Sequence, residues 1–157
     1  MIVITQQMLY VKRSDLGFNK DAVLMIPIGF DSLGTEQKTL RNELSNIPGV
    51  ENVALCYAAP SSDDSWTTSV RFDTRTEDEL FRVNMKAADE NYVATFGLQL
   101  VAGKNIFPSD TVREFIVNET MVRKLQLKSP GEALGKKIFF QGGSISAPIA
   151  GRGERFS

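Results

Sequence analysis

The chain has 157 residues, 42% of them hydrophobic and 24% charged, with 18 basic side chains against 19 acidic ones and a formal charge of −1. That is the composition of one folded domain or two small lobes, too apolar for a disordered tail and too balanced to attract nucleic acid or an anionic membrane surface. Histidine is absent and Cys56 is the single cysteine, which excludes histidine-based nucleophilic centres, imidazole bases, histidine metal sites, internal disulfides and cysteine-rich zinc sites.

No stretch approaches the roughly 20 apolar residues that cross a bilayer. Met1-Ile2-Val3-Ile4-Thr5 lacks the basic region and cleavage site of a signal peptide. Residues 6–15 read as a helical stub, and residues 15–21 as a turn-rich segment. Residues 22–28 form a short apolar run closed by Pro27 and Gly29, which predicts a buried strand. After a loop at 31–34, Thr35 opens a helix to about Asn46, with Leu40, Leu44 and Ile47 at helical spacing and Pro48-Gly49 as its stop. Residues 50–57 read as a second strand carrying Cys56, most simply an inert buried thiol.

The pattern then changes. Ala59-Pro60-Ser61-Ser62-Asp63-Asp64-Ser65 is a polar loop without apolar periodicity. Residues 67–72 and 80–87 alternate as strands, joined by a charged connection at 73–79. Asp89 is placed to cap a short helix through Tyr92, Val93 and Phe96, ended by Gly97. Strands follow at 98–102 and 113–117. Asn118 fits a glycosylation sequon with Glu119 and Thr120, but reads as the cap of a helix holding Met121, Val122 and Leu125. Ser129-Pro130-Gly131-Glu132 has capping-box spacing, so a helical turn reaches Gly135. Two last strands, 136–140 and 145–150, flank Gly142-Gly143, and residues 151–157 read as an irregular tail. The sum is an α+β chain in two parts, a strand–helix–strand unit and a strand-rich insertion with short helices.

The carboxylate pairs Asp63-Asp64, Glu77-Asp78-Glu79 and Asp89-Glu90 have ordinary readings as loop, turn and helix-start residues. None has the alternate-position spacing of a metal loop. Gly131 to Lys137 imitates a phosphate-binding loop but is one residue short, carries Lys137 where a hydroxyl is needed, and leads into a strand. Trp66 is either a core anchor or an exposed recognition side chain, and the burial habit of large aromatics favours the core. By residue chemistry, binding or a mechanical role is favoured over catalysis, with no cofactor and no metal. The enzymatic rival is a carboxylate-dependent hydrolase on Asp63, Asp64 or Asp89.

An ordered set of segments runs along the chain: Asp15-Leu16-Gly17-Phe18-Asn19-Lys20-Asp21, Ile47-Pro48-Gly49-Val50-Glu51-Asn52-Val53, Ala59-Pro60-Ser61 and Asp89-Glu90-Asn91-Tyr92. It continues through Thr95-Phe96-Gly97-Leu98-Gln99-Leu100-Val101-Ala102-Gly103-Lys104, Phe115-Ile116-Val117-Asn118-Glu119, Ala133-Leu134-Gly135-Lys136 and Pro148-Ile149. Taken in this order, the set resembles the extracytoplasmic core domain of FtsX/MacB-type ABC transporter permeases, in wording most like those of Bacteroidetes-type bacteria.

The resemblance implies a two-lobed α+β fold. A porter-like βαβ lobe would occupy 15–60 and 136–150, with a strand-rich lobe inserted at 61–135 and residues 1–14 as the stub of a first transmembrane helix. It implies a place on the periplasmic face of the inner membrane and a cytoplasmic ABC ATPase acting through the transmembrane part. A periplasmic adaptor, lipoprotein or export substrate would dock on the domain, with no nucleic acid involved and the isolated domain monomeric. Ser61, Ser62, Asp63, Asp64 and Trp66 are the candidate partner contact, because polar loops on a rigid scaffold carry recognition. The alternative is a module binding a peptide or lipid in a cleft between the lobes. After Ile149 the sequence departs from the family pattern, since residues 151–157 are polar where the family continues through a hydrophobic strand.

Overall fold

Strand alternation and helix caps account for most of the architecture. The computed structural model of the protein describes residues 23–28 and 35–154; the expected membrane stub at 1–14, the turn at 15–21, the loop at 31–34 and the last three residues lie outside that range. The elements, in order, are helix α1 (Thr35–Ser45), strands β1 (Trp66–Phe72) and β2 (Arg82–Met85), helix α2 (Tyr92–Thr95), and strands β3 (Leu100–Gly103) and β4 (Phe115–Asn118). Helix α3 (Glu119–Lys124), strand β5 (Lys137–Phe140) and strand β6 (Ile145–Gly153) complete them, with 3-10 turns at Pro130–Ala133 and Gln141–Gly143. This is a mixed α+β fold with a curled, mainly antiparallel sheet and short helices.

The sheet runs β2-β1-β5-β6-β3, with β4 joined to β6. Strand β6 organises it. Ile145 to Pro148 pair antiparallel with β5, and the second half of the strand lies between antiparallel β3 and parallel β4. Strands β5 and β6, which the sequence division assigned mainly to the first lobe, therefore pair with β1, β3 and β4 of segment 61–135.

Alternate residues of these strands face one core, built from Val70 and Phe72 of β1, Val117 of β4, Ile138 and Phe140 of β5, and Ile149 of β6. Helix α3 lays Met121 and Val122 on it, followed by Leu125 just beyond the helix. Val70, Leu125, Ile138 and Ile149 are fully buried, each contributing about 1.5–3 kcal/mol relative to exposure. Phe115 and Phe140 close the core with an edge-to-face contact at 4.9 Å. The α3 cap is the expected one, since Asn118 Oδ1 accepts the Met121 N–H at 3.0 Å. Glu119 at the start of α3 and Arg123 and Lys124 at its end complement the helix dipole.

Five local expectations need correction. The run 23–28 is not a strand; Leu24, Met25, Ile26 and Ile28 are exposed. Apolar character alone does not make a strand without a ladder partner, and among the described residues none pairs with it. Residues 50–57 contribute a single antiparallel bridge, Cys56 with Ala88, flanked by hydrogen bonds from Tyr57 N to Ala87 O and from Asp89 N to Leu55 O. Asp89 does not cap α2 directly. The N-cap is Asn91, two positions later than expected, and Asp89 Oδ1 accepts the Asn91 N–H at 3.1 Å.

The supposed tail is the largest departure. Gly151, Arg152 and Gly153 belong to β6 and are enclosed by β3 and β4. Glycine is required at Gly151 because a Cβ there would land on the Lys104 carbonyl oxygen. The Ser129 capping box is also not made. Ser129 forms no side-chain cap, and Glu132 Oε2 accepts the N–H of Lys128 instead.

Candidate docking loop and its supports

The polar loop that precedes β1 is anchored at both ends. Its start is held by the Cys56–Ala88 bridge, and its end runs into the β1–β2 hairpin, where Trp66 lies opposite Met85. Across that hairpin Thr67 and Asn84 are hydrogen-bonded side chain to side chain at 2.8 Å, and Arg82 Nη2 donates to Thr67 O at 3.1 Å. Ala58 and Pro60 are buried, whereas Ser61, Asp63 and Asp64 are exposed and Ser62 is half-buried. Trp66 is 62% exposed, which corrects the expectation that it anchors the core. It sits one step before Thr68, Val70 and Phe72 on the inward face of β1, beyond the reach of the core below. Tyr57 is exposed as well.

The loop's shape comes from outside it. Lys86 follows β2 directly, and its Nζ donates to Ala59 O at 2.6 Å, Pro60 O at 2.7 Å and Ser62 O at 2.8 Å. Tyr92 of α2 donates its hydroxyl to Ala58 O at 3.0 Å. Within the loop, Ser62 N bonds Ala59 O, and Asp64 N bonds Ser62 Oγ. Burial pulls the Lys86 ammonium below its ordinary pKa, with the Asp63 and Asp64 charges opposing. Burial likewise pushes the Tyr92 hydroxyl and the Cys56 thiol up, so Cys56 is a poor nucleophile at neutral pH.

Beneath the loop, Asp89 joins α1 to the strand-rich part. Arg41 Nη1 donates to Asp89 Oδ2 at 3.0 Å and to Glu90 Oε1 at 3.2 Å. Asp89 Oδ2 also accepts Leu55 N at 2.9 Å, and Asn91 Nδ2 donates to Val53 O at 2.9 Å. The hydrogen bond from Arg41 to Asp89 holds the guanidinium more firmly in its charged form, with burial opposing and Glu90 assisting. The structure thus gathers Ser61, Ser62, Asp63, Asp64 and Trp66 around one loop. It sets Asp89 apart from Asp63 and Asp64 in kind, partly buried and bonded to Arg41 and two backbone N–H groups.

Sequence reading missed Lys86 and Arg41, which looked like ordinary polar positions of a strand and a helix. Their partners lie 24 to 27 residues and 48 to 49 residues away. Among the described residues, no group of three His, Cys, Asp or Glu side chains is arranged to hold a metal ion, and no helix is long and apolar enough to cross a membrane. A shallow groove of about 220 Å³ is lined by Ile28, Glu36, Gln37 and Leu40.

No protein-family model matches the chain, and no curated protein sequence matches it significantly. Solved structures do. The chain is similar to the periplasmic region of MacB from Actinobacillus actinomycetemcomitans, with a TM-score of 0.54 at 16% identity, over 83% of this chain and 58% of that one. It is also similar to the extracellular domain of the ABC-type transporter YknZ from Gram-positive bacteria, with a TM-score of 0.52 at 20% identity, over 73% of this chain and 55% of that one. The fold is therefore that of the extracytoplasmic domains of ABC-type permeases. The chain spans little more than half the length of these two structures.

Proposed function

We propose that this chain is an extracytoplasmic domain of an ABC transporter permease, on the periplasmic face of the inner membrane. It offers the loop around Ser61 to Trp66 to an adaptor, lipoprotein or export substrate. It also relays movement driven by a cytoplasmic ATPase through the transmembrane part of the protein. The observation that carries the reading is the fold shared with the MacB periplasmic region. The loop adds local support, because it sets an exposed indole and two exposed carboxylates on a backbone fixed from three sides. Its side chains provide recognition, and no bond-making chemistry is assigned to them. The domain is monomeric on its own, its pairing in the membrane depending on the rest of the transporter.

The test uses the full-length permease in its own membrane. Trp66→Ser combined with Asp63→Asn and Asp64→Asn is expected to weaken recovery of the extracytoplasmic partner about thirtyfold, as loss of an aromatic hot spot worth about 2 kcal/mol does. Export falls with it, while the amount of permease and of bound ATPase stays the same. Undiminished partner recovery and undiminished export would remove the loop from the interface.

A further inference from the structure

We infer that Lys86 is the positioning residue that gives the 59–66 loop its shape before any partner arrives, so the docking surface is preformed and does not fold on contact. The inference rests on the docking reading of that loop for its purpose, but its geometry is independent of it. An ammonium carries three N–H donors and accepts nothing. At Lys86 these donors meet carbonyl oxygens of Ala59, Pro60 and Ser62 at 2.6, 2.7 and 2.8 Å, all from one short stretch of backbone. Both sides are satisfied at once. The lysine's donors are used in a part-buried place, and loop carbonyls that no strand or helix pairs find a charged donor.

Charge-assisted bonds of this length are roughly twice as strong as neutral ones. The sequence of the loop, rich in serine and aspartate, supplies no apolar side chain past Pro60 to hold it down before Trp66. Without Lys86 the remaining outside tether among these contacts is Tyr92 on Ala58 O, at the loop's near end. Ser61, Asp63, Asp64 and Trp66 would then lose their fixed relation to one another. A surface already in its bound shape avoids the ordering cost of binding. Lys86 therefore acts on affinity through the loop, without touching the partner.

Arginine is not an equivalent replacement, because its planar fork spreads its donors and cannot aim three at carbonyls converging on one point. The experiment measures amide hydrogen exchange on the folded domain. In Lys86→Met, the amides of Ser62 and Asp64 are expected to exchange more than tenfold faster, while those of β5 and β6 keep their protection. The second variant separates charge from packing. In Lys86→Cys made with Cys56→Ser, alkylation by 2-bromoethylamine rebuilds an ammonium on a side chain of lysine length and is expected to restore slow exchange. Alkylation with iodoethane is expected not to.

Unchanged loop exchange in Lys86→Met, or equal rescue by the two reagents, overturns the inference. Partner recovery with the Lys86→Met full-length permease is read separately. Fast loop exchange with undiminished recovery leaves the positioning role standing and discards the docking reading.

Discussion

Gly103→Val is expected to leave a domain that melts about 10 °C lower or does not fold at all. Gly103 ends β3 at φ +79°, a conformation that costs a side-chain-bearing residue about 1–2 kcal/mol. A Cβ there would also land on the Ala150 carbonyl oxygen, with Leu134 Cδ2 at 2.7 Å and Gly151 Cα at 2.9 Å. Two of those neighbours are backbone of β6 and cannot rotate away, so the overpacking adds about 1–3 kcal/mol. Against a domain stability of about 5–15 kcal/mol the sum is large. Gly131→Ala is the control, since a Cβ there meets nothing within 4 Å. Thermal unfolding followed by circular dichroism reads both. An unchanged melting temperature for Gly103→Val would mean that β3 does not pack against β6 as described.

Arg41→Met is expected to release α1 from the rest of the domain while the sheet stays folded. No described side chain of α1 is buried, so the helix has no apolar anchor comparable to that of α3. Arg41 supplies the attachment. Its side chain is 25% exposed, and its two carboxylate partners, Asp89 and Glu90, are 14% and 24% exposed. Truncating one member of a fully buried pair costs about 3–5 kcal/mol. Partial exposure here, and the two N–H groups that still serve Asp89, lower the expected loss to about 1–3 kcal/mol. Among the described residues α1 also makes an ion pair from Lys38 to Asp110 at 2.6 Å, but it joins two exposed side chains and is screened by water and salt. Hydrogen exchange in residues 35–45 is expected to accelerate at least fivefold, with β1 and β5 unchanged. In the relay reading this same substitution uncouples α1 from the strand-rich part, so export falls although the docking loop is intact. Equal protection of α1 in both proteins would show that the helix is held by something other than the Arg41 fork.

What the sequence revealed depended on how local the cause was. The β1 alternation, the Asn118 cap of α3 and the Gly142-Gly143 turn between β5 and β6 are all set by neighbours in the chain, and each was readable. Residues 23–28 and 50–57 had the composition of strands, but a strand is a relation between segments, and composition does not supply the second one. Gly151-Arg152-Gly153 looked like a polar end because the reason for glycine there is the approach of Lys104 from across the sheet. Trp66 followed the opposite course, an aromatic whose type favours burial but whose place on β1 lies past the edge of the core. The candidate loop was legible from its polarity and its position before a strand. Its supports were not, because nothing near Lys86 in the sequence signals the carbonyls it serves.

Photocrosslinking from position 66 tests the central claim most directly. With Trp66→benzoylphenylalanine in the full-length permease of living cells, illumination is expected to yield a covalent adduct with a protein or export substrate outside the cytoplasmic membrane. The adduct is expected to disappear when the ATPase partner's gene is intact but the extracytoplasmic partner's gene is deleted. An adduct formed only with cytoplasmic proteins would contradict the account, because it would put this surface on the wrong side of the membrane.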